Sequence, residues 1–203
     1  MKCGFLFIFL FCLGSTAVAK VSKTSTFQSQ FPQLLIQAKT LLVSGNRKAA
    51  LAELDKAQSF VKKREEQKEL DGRRKLFAEQ FLTKEAFQKY QEAKALVEDS
   101  HWDDASKELV TIDPKDVDNV FVLHLRVKIL NASKSFDQSE VVLRNIIAYQ
   151  PNDSDIALEL IEVLTEKKEL AAASELLKKF EPKNGRQVER SVILKARILV
   201  LSN

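Results

Sequence analysis

VFVLHLRVKILNASKSFDQSEVVLRNIIAYQPND, residues 120–153, runs without a gap into SDIALELIEVLTEKKELAAASELLKKFEPKNGRQ, residues 154–187. Laid one over the other at a step of 34, Val127 meets Ile161, Leu130 meets Leu164, Phe136 meets Leu170, Ser139 meets Ala173, Leu143 meets Leu177 and Ile146 meets Phe180. The same step backwards reaches Ala93, Leu96, Trp102, Ala105, Leu109 and Ile112. Seventeen of these eighteen positions are apolar in a chain that is 45% hydrophobic, where chance would make about eight of them so. Within each block the apolar residues recur three and four apart among Leu, Ala, Lys, Glu and Gln, which is the pattern of a helix with one buried stripe. Past residue 19, glycine stands only at Gly45, Gly72 and Gly185, and proline only at Pro32, Pro114, Pro151 and Pro182. These residues punctuate helices, and no stretch shows the sustained alternation of a strand. The chain reads as all-α.

A helix pair that recurs every 34 residues resembles the tetratricopeptide repeat family, whose units carry small or apolar residues at positions 8, 11, 20, 24 and 27, an aromatic at 17 and often proline at 32. Residues 120–153 fit with Val127, Leu130, Phe136, Ser139, Leu143, Ile146 and Pro151, and residues 154–187 follow with Pro182 displaced. A unit from Ala86 has Ala93, Leu96, Trp102, Ala105, Leu109 and Ile112; a first unit has Ala38, Leu41, Gly45, Ala50, Leu54 and Ala57, with Arg47 where an aromatic is expected. The resemblance implies a right-handed α-solenoid of antiparallel helix pairs, about four repeats closed by a C-terminal capping helix. Small side chains at 8 and 20 let two helices approach closely, and large ones beside them fill the seam, each worth about 1.5–3 kcal/mol when buried. A single pair cannot cover its own apolar face, so stacked neighbours are required and end units differ.

Arg47 and Trp102 stand 55 residues apart, one period plus 21, so the register breaks within 61–82. The expectation is that the second helix of the first unit runs long, turns near Gly72 and adds a helix before Thr83, an N-cap for the next unit. Gln187–Leu201 reads as the closing helix, apolar at Val188, Ile193, Leu194, Ile198 and Leu201, with Arg186, Arg190, Lys195 and Arg197 left to solvent.

Met1-Lys2, the unbroken apolar run Phe5–Leu13 and Ala17-Val18-Ala19 together read as a secretory signal over 1–19, too short to span a bilayer. A flexible segment, 20–32, and a repeat domain, 33–203, are expected to follow. The protein is then exported, periplasmic or secreted, with no transmembrane segment after cleavage. Both cysteines, Cys3 and Cys12, depart with the signal, which removes any thiol nucleophile, disulfide or thiolate metal ligand. The net charge of +4 falls to +3 with Lys2 gone, too little to mark a nucleic-acid binder.

Chemistry has little to work with. There is no glycine-rich phosphate loop, no Gly-x-Ser-x-Gly elbow and no His-Glu-x-x-His. His101 is expected in a turn and His124 on a first helix, without a converging ligand set for a metal. The reading is therefore non-catalytic, with no cofactor and no metal. The basic segment Lys62, Lys63, Arg64, Arg73, Arg74 and Lys75 offers either a polyanion or envelope-surface site or a solvated helix laced by Glu69–Arg73 and Asp71–Lys75 pairs. The resemblance further implies a concave groove lined by positions 2, 5, 9 and 12 of each first helix. Those are Phe87, Tyr90, Lys94 and Val97, then Phe121, His124, Lys128 and Asn131. Position 9 is also Lys39 in the first unit and Glu162 in the fourth. An aromatic floor beside lysines suits an extended peptide carrying carboxylates. The expected function is a protein–protein interaction or scaffold module of the cell envelope, the alternatives being a self-associating assembly module or a polyanion binder through 62–75.

Overall fold

The computed structural model describes residues 30–202, and among them the secondary structure is ten helices without a strand. The expected signal (1–19), its two cysteines and residues 20–29 lie outside the described residues. The first helix, α1 (Gln30–Val43), begins ahead of the anticipated boundary at 33, because Phe31 is buried and belongs to the core. It pairs with α2 (Arg47–Gln58), and three more pairs follow α3 (Arg64–Glu79): α4 (Lys84–Glu98) with α5 (Trp102–Val110), α6 (Val120–Ala132) with α7 (Phe136–Tyr149), and α8 (Ser154–Glu166) with α9 (Leu170–Lys179). α10 (Gly185–Leu201) packs on α8 and α9. The result is the all-helical solenoid that the repetition implies.

The repeat columns occupy equivalent places. Trp102, Phe136 and Leu170 are each the first residue of a second helix, and each packs half-buried against core. Ala105, Ser139 and Ala173 are fully buried, as are Ala93, Val127 and Ile161 on the facing helices. The turns repeat as well. Ser100, Lys134 and Lys168 stand 34 apart and share left-handed backbone, with φ of 61°, 56° and 61°, and Gly45 does the same at 88°. After each, a backbone N–H reaches back five residues: His101 to Leu96 O at 2.8 Å, Ser135 to Leu130 O at 2.8 Å, Glu169 to Leu164 O at 2.9 Å and Asn46 to Leu41 O at 2.9 Å. That wrap satisfies the carbonyls a helix end leaves free.

The helix α6 is apolar around much of its circumference, and the reason is position. Val120, Leu123 and Val127 join the larger core of α1–α3 and α7–α10, while Val122, Leu125 and Ile129 face the smaller core of α4 and α5. A helix covered on two sides keeps only a narrow stripe for solvent, here Phe121, His124 and Lys128.

The inserted segment differs from expectation. The second helix stops at Gln58, the chain turns through 59–63, and α3 runs straight through Gly72. The break comes early because the Glu66 carboxylate accepts the backbone N–H groups of Lys62 and Lys63, at 2.8 and 3.1 Å, and starts α3 there. Gly72 sits in ordinary helical backbone with open space around it. Thr83 does cap α4, its hydroxyl accepting from Ala86 N at 3.1 Å.

Arg47, at the aromatic position of the first unit, is 2% exposed and fills that place with a polar knot. Its guanidinium donates to the carbonyls of Phe77 and Gln80 at the end of α3, and to Asp116 Oδ1 at 2.7 Å in the α5–α6 loop. Asp116, itself fully buried, also accepts Leu82 N and Thr83 N at 3.0 Å each. Asn119 donates to Glu79 O at 2.9 Å. Three pieces distant in sequence, α2, the α3–α4 link and the α5–α6 loop, are thereby fixed to one another. Three charge-assisted bonds on Asp116 offset the cost of burying it.

Candidate binding face

The first helices α4 and α6 lie beside each other, so residues on their outward sides form one surface. Phe87 and Tyr90 come from α4 and Phe121 from the first turn of α6. Phe81, in the link that follows α3, joins them: its ring centroid is 5.4 Å from Phe87, 5.2 Å from Tyr90 and 6.4 Å from Phe121, the last pair nearly parallel at 11°. Tyr90 and Phe121 are 6.1 Å apart. Aromatic pairs at these separations hold one another in place. The group is nonetheless open to solvent, Phe87 being 45% and Phe121 40% exposed. Phe81 carries no repeat position, which is why spacing alone does not find it.

Lys94 and Lys128 are exposed one and two turns beyond these rings on the same two helices. Lys94 Nζ is 3.7 Å from Glu98, a loose surface pair that leaves its charge available. Lys39 does not extend the row: it lies in a cleft between α1 and α3 with Glu66, Glu69 and Arg73. Glu162 is engaged with Arg190 of α10 at 2.9 Å. Val97, expected to line the groove, is buried in the smaller core with Ala93 and Leu109.

His124 is half-buried, with Nδ1 3.9 Å from Glu159 Oε2 on α8. Burial holds its pKa below the usual histidine value, outweighing the opposing pull of Asp153; Lys128 adds to the lowering and Glu79 opposes it. Burial raises Glu159 in turn. Burial thus disfavours the ionised form of each partner. Asn131 is half-buried, and its Oδ1 has no hydrogen-bond partner among the described residues. His101 sits in the turn before α5, as anticipated. Among the described residues no cluster of three His, Cys, Asp or Glu is placed to hold a metal.

The basic segment is spread along α3 and is not one patch. Lys62, Lys63 and Arg64 are exposed around its start. Further on, Arg73 binds Glu69 at 2.8 Å and Arg74 binds Asp55 of α2. Asp71 accepts from Gln67 Nε2 at 3.0 Å, where Lys75 was expected as its partner. Two of the six cations are thus already matched to carboxylates.

Paired helices in series, apolar seams at a fixed step and a solvent-facing aromatic cluster on adjacent first helices define an α-helical repeat protein with the means to bind another chain. Residues 130–198 match the family model for the tetratricopeptide repeat, from the end of α6 through most of α10. Over that third of its length the chain is similar to the tetratricopeptide repeat family. Arrays of this kind generally mediate protein–protein interaction or scaffolding, and the fold is typically non-catalytic. No curated protein matches the chain, and no solved structure does. No described helix is long and apolar enough to cross a membrane.

Proposed function

We propose that this protein is an exported, non-catalytic binding module that holds an extended segment of a partner protein across α4 and α6. The observation that carries the reading is the aromatic group in which Phe87 and Phe121, on adjacent first helices, are exposed and Phe81 and Tyr90 hold them against the smaller core. Rings anchored by one another lose little conformational freedom on binding, which is what makes aromatic side chains good anchors. Lys94 and Lys128 flank the rings and favour carboxylates on the partner, giving orientation and association rate more than affinity. His124 and Asn131 edge the same surface and offer hydrogen bonds. The placement outside the cytoplasm rests on the leader-like stretch at 1–19.

The test is affinity capture from envelope extracts with the wild-type chain, with Lys94→Glu/Lys128→Glu and with Phe87→Ser/Phe121→Ser. All four residues are solvent-exposed, so helicity is expected to be unchanged in each variant. Capture should fall by about tenfold or more in the phenylalanine variant, and capture by the lysine variant should become weak and lose its salt dependence. Equal capture by all three proteins would rule this face out.

A further inference from the structure

The last helix carries two apolar faces where a terminal cap needs one. Gln187, Leu194 and Ile198 are buried against the preceding unit. On the other side Val188, Val192, Ile193, Leu199 and Val200 stand in solvent around the exposed Ala196, with Val192 at 60% and Val200 at 75% exposure. The expected division, apolar residues inward and cations outward, holds only in part: Leu194 and Ile198 are inside and Arg186, Lys195 and Arg197 exposed, but Val188 and Ile193 are outside, and Arg190 is drawn in against Glu162 and Asp155. The open face amounts to roughly 550 Å² of apolar surface, at the upper end of what a monomer ordinarily leaves bare.

Its place in the repeat says what it is for. Asp153 caps α8 and Asn184 caps α10, each by its side chain. With the two helices aligned on these caps, Ala157, Leu160 and Ile161 of α8 correspond to Val188, Ser191 and Val192 of α10. On α8 those residues border a cavity shared with Leu176 and Phe180 of the α9 side. α10 therefore takes the part of a first helix, packed on α8 and α9 as α6 is on α4 and α5, and the face it leaves open is the one a second helix covers. Among the described residues no helix does so.

We propose that a second copy of this chain covers it, the two α10 helices lying antiparallel about a two-fold axis near Ile193. Each copy then supplies the second helix of the other's pair. An isologous contact needs only this one patch, repeated, and antiparallel pairing is the packing that the four helix pairs of the fold already use. Two such faces bury roughly 1,100 Å², enough for a specific if modest interface. A lipid surface suits the face less well, because Glu189 stands among its outward apolar residues.

The test is sedimentation equilibrium of the full-length chain with Cys3 and Cys12 replaced by serine, beside the same chain carrying Val192→Glu and Val200→Glu. Both sites are exposed, so helicity should not change, and the melting temperatures should coincide at protein concentrations low enough for both chains to be monomers. The parent should be a dimer, and the glutamates should weaken it by at least about tenfold. As a second readout, Ile193→Cys should form an intermolecular disulfide on mild oxidation, and Val141→Cys, exposed on α7, should not. A parent that stays monomeric, a dimer indifferent to the glutamates, or an Ile193→Cys chain that does not cross-link would overturn the proposal. So would a monomer that co-sediments with phosphatidylcholine–phosphatidylglycerol vesicles through this face. A dimer held by the apolar run Phe5–Leu13 would show itself by surviving the glutamates.

Discussion

Ser139 shows how much a single position in a repeat can reveal. It occupies the small-residue column between Ala105 and Ala173, it is fully buried, and its hydroxyl has no partner among the described residues. An unsatisfied buried hydroxyl costs about 1–3 kcal/mol, so Ser139→Ala should raise the denaturation midpoint by an amount equivalent to about 1 kcal/mol in urea melts. Arg47 is the opposite case, a polar group the fold depends on. Arg47→Met leaves Asp116 buried without its cation and strips the end of α3 of its donor, and should destabilise by about 3–5 kcal/mol in the same assay. His124 sets a pH dependence. Its folded pKa lies below 6.5, so as pH falls the unfolded chain takes up the proton first. The contribution of His124 is therefore present above 6.5 and lost as pH drops through that value toward the folded one. His124→Gln should flatten the fall in melting temperature between pH 7 and 5.5. Glu159 titrates in the opposite sense, its burial favouring the folded state only below its raised pKa. These three residues differ in how well the sequence announces them. Ser139 is visible as the one polar member of its column, and His124 as a position on a first helix. The role of Arg47 is hidden, because its partner Asp116 is 69 residues away and belongs to a loop with no repeat counterpart.

Among the elements, the second helices and their seams are readable because sterics repeat: the close approach of two helices demands alanine or serine at the same step each time. The turns repeat just as strictly, yet no residue type betrays them, since Ser100, Lys134 and Lys168 all hold a conformation that glycine would favour. Relieving that strain is worth about 1 kcal/mol per site. Lys134→Gly and Lys168→Gly should each stabilise by about that much in urea titration, with unchanged helicity. Gly72 presents the reverse situation. A glycine in a charged stretch looks like a turn, but in α3 it is an ordinary helical residue, and a Cβ added there would meet nothing within 4 Å. Gly72→Ala should stabilise by about 0.5–1 kcal/mol. The capping carboxylate of Glu66, which does decide where α3 begins, reads as one more charge in a mixed run until its bonds to Lys62 and Lys63 are seen.

Across the full array, the apolar seams fall into two cores that meet at α6, and the irregularities fall where they matter for binding. The inserted α3 carries the chain to Phe81, and Phe81 then completes an aromatic group that repeat positions supply only in part. Three of the four rings, Phe87, Tyr90 and Phe121, are thus legible from period and family, and the fourth depends on a departure from the period. Val97 and Lys39 fail to join it for the same reason, since packing of the second unit and the insertion move them to other surroundings. The proposed function requires a partner seated on this face, and site-specific photocross-linking reads that contact without an intermediate step. A photoreactive side chain at Phe87 or Phe121 should label the captured partner strongly, and the same group at Val141, exposed on α7, should label it little. Equal labelling from Val141, or none from the two phenylalanine positions, would show that the partner binds elsewhere.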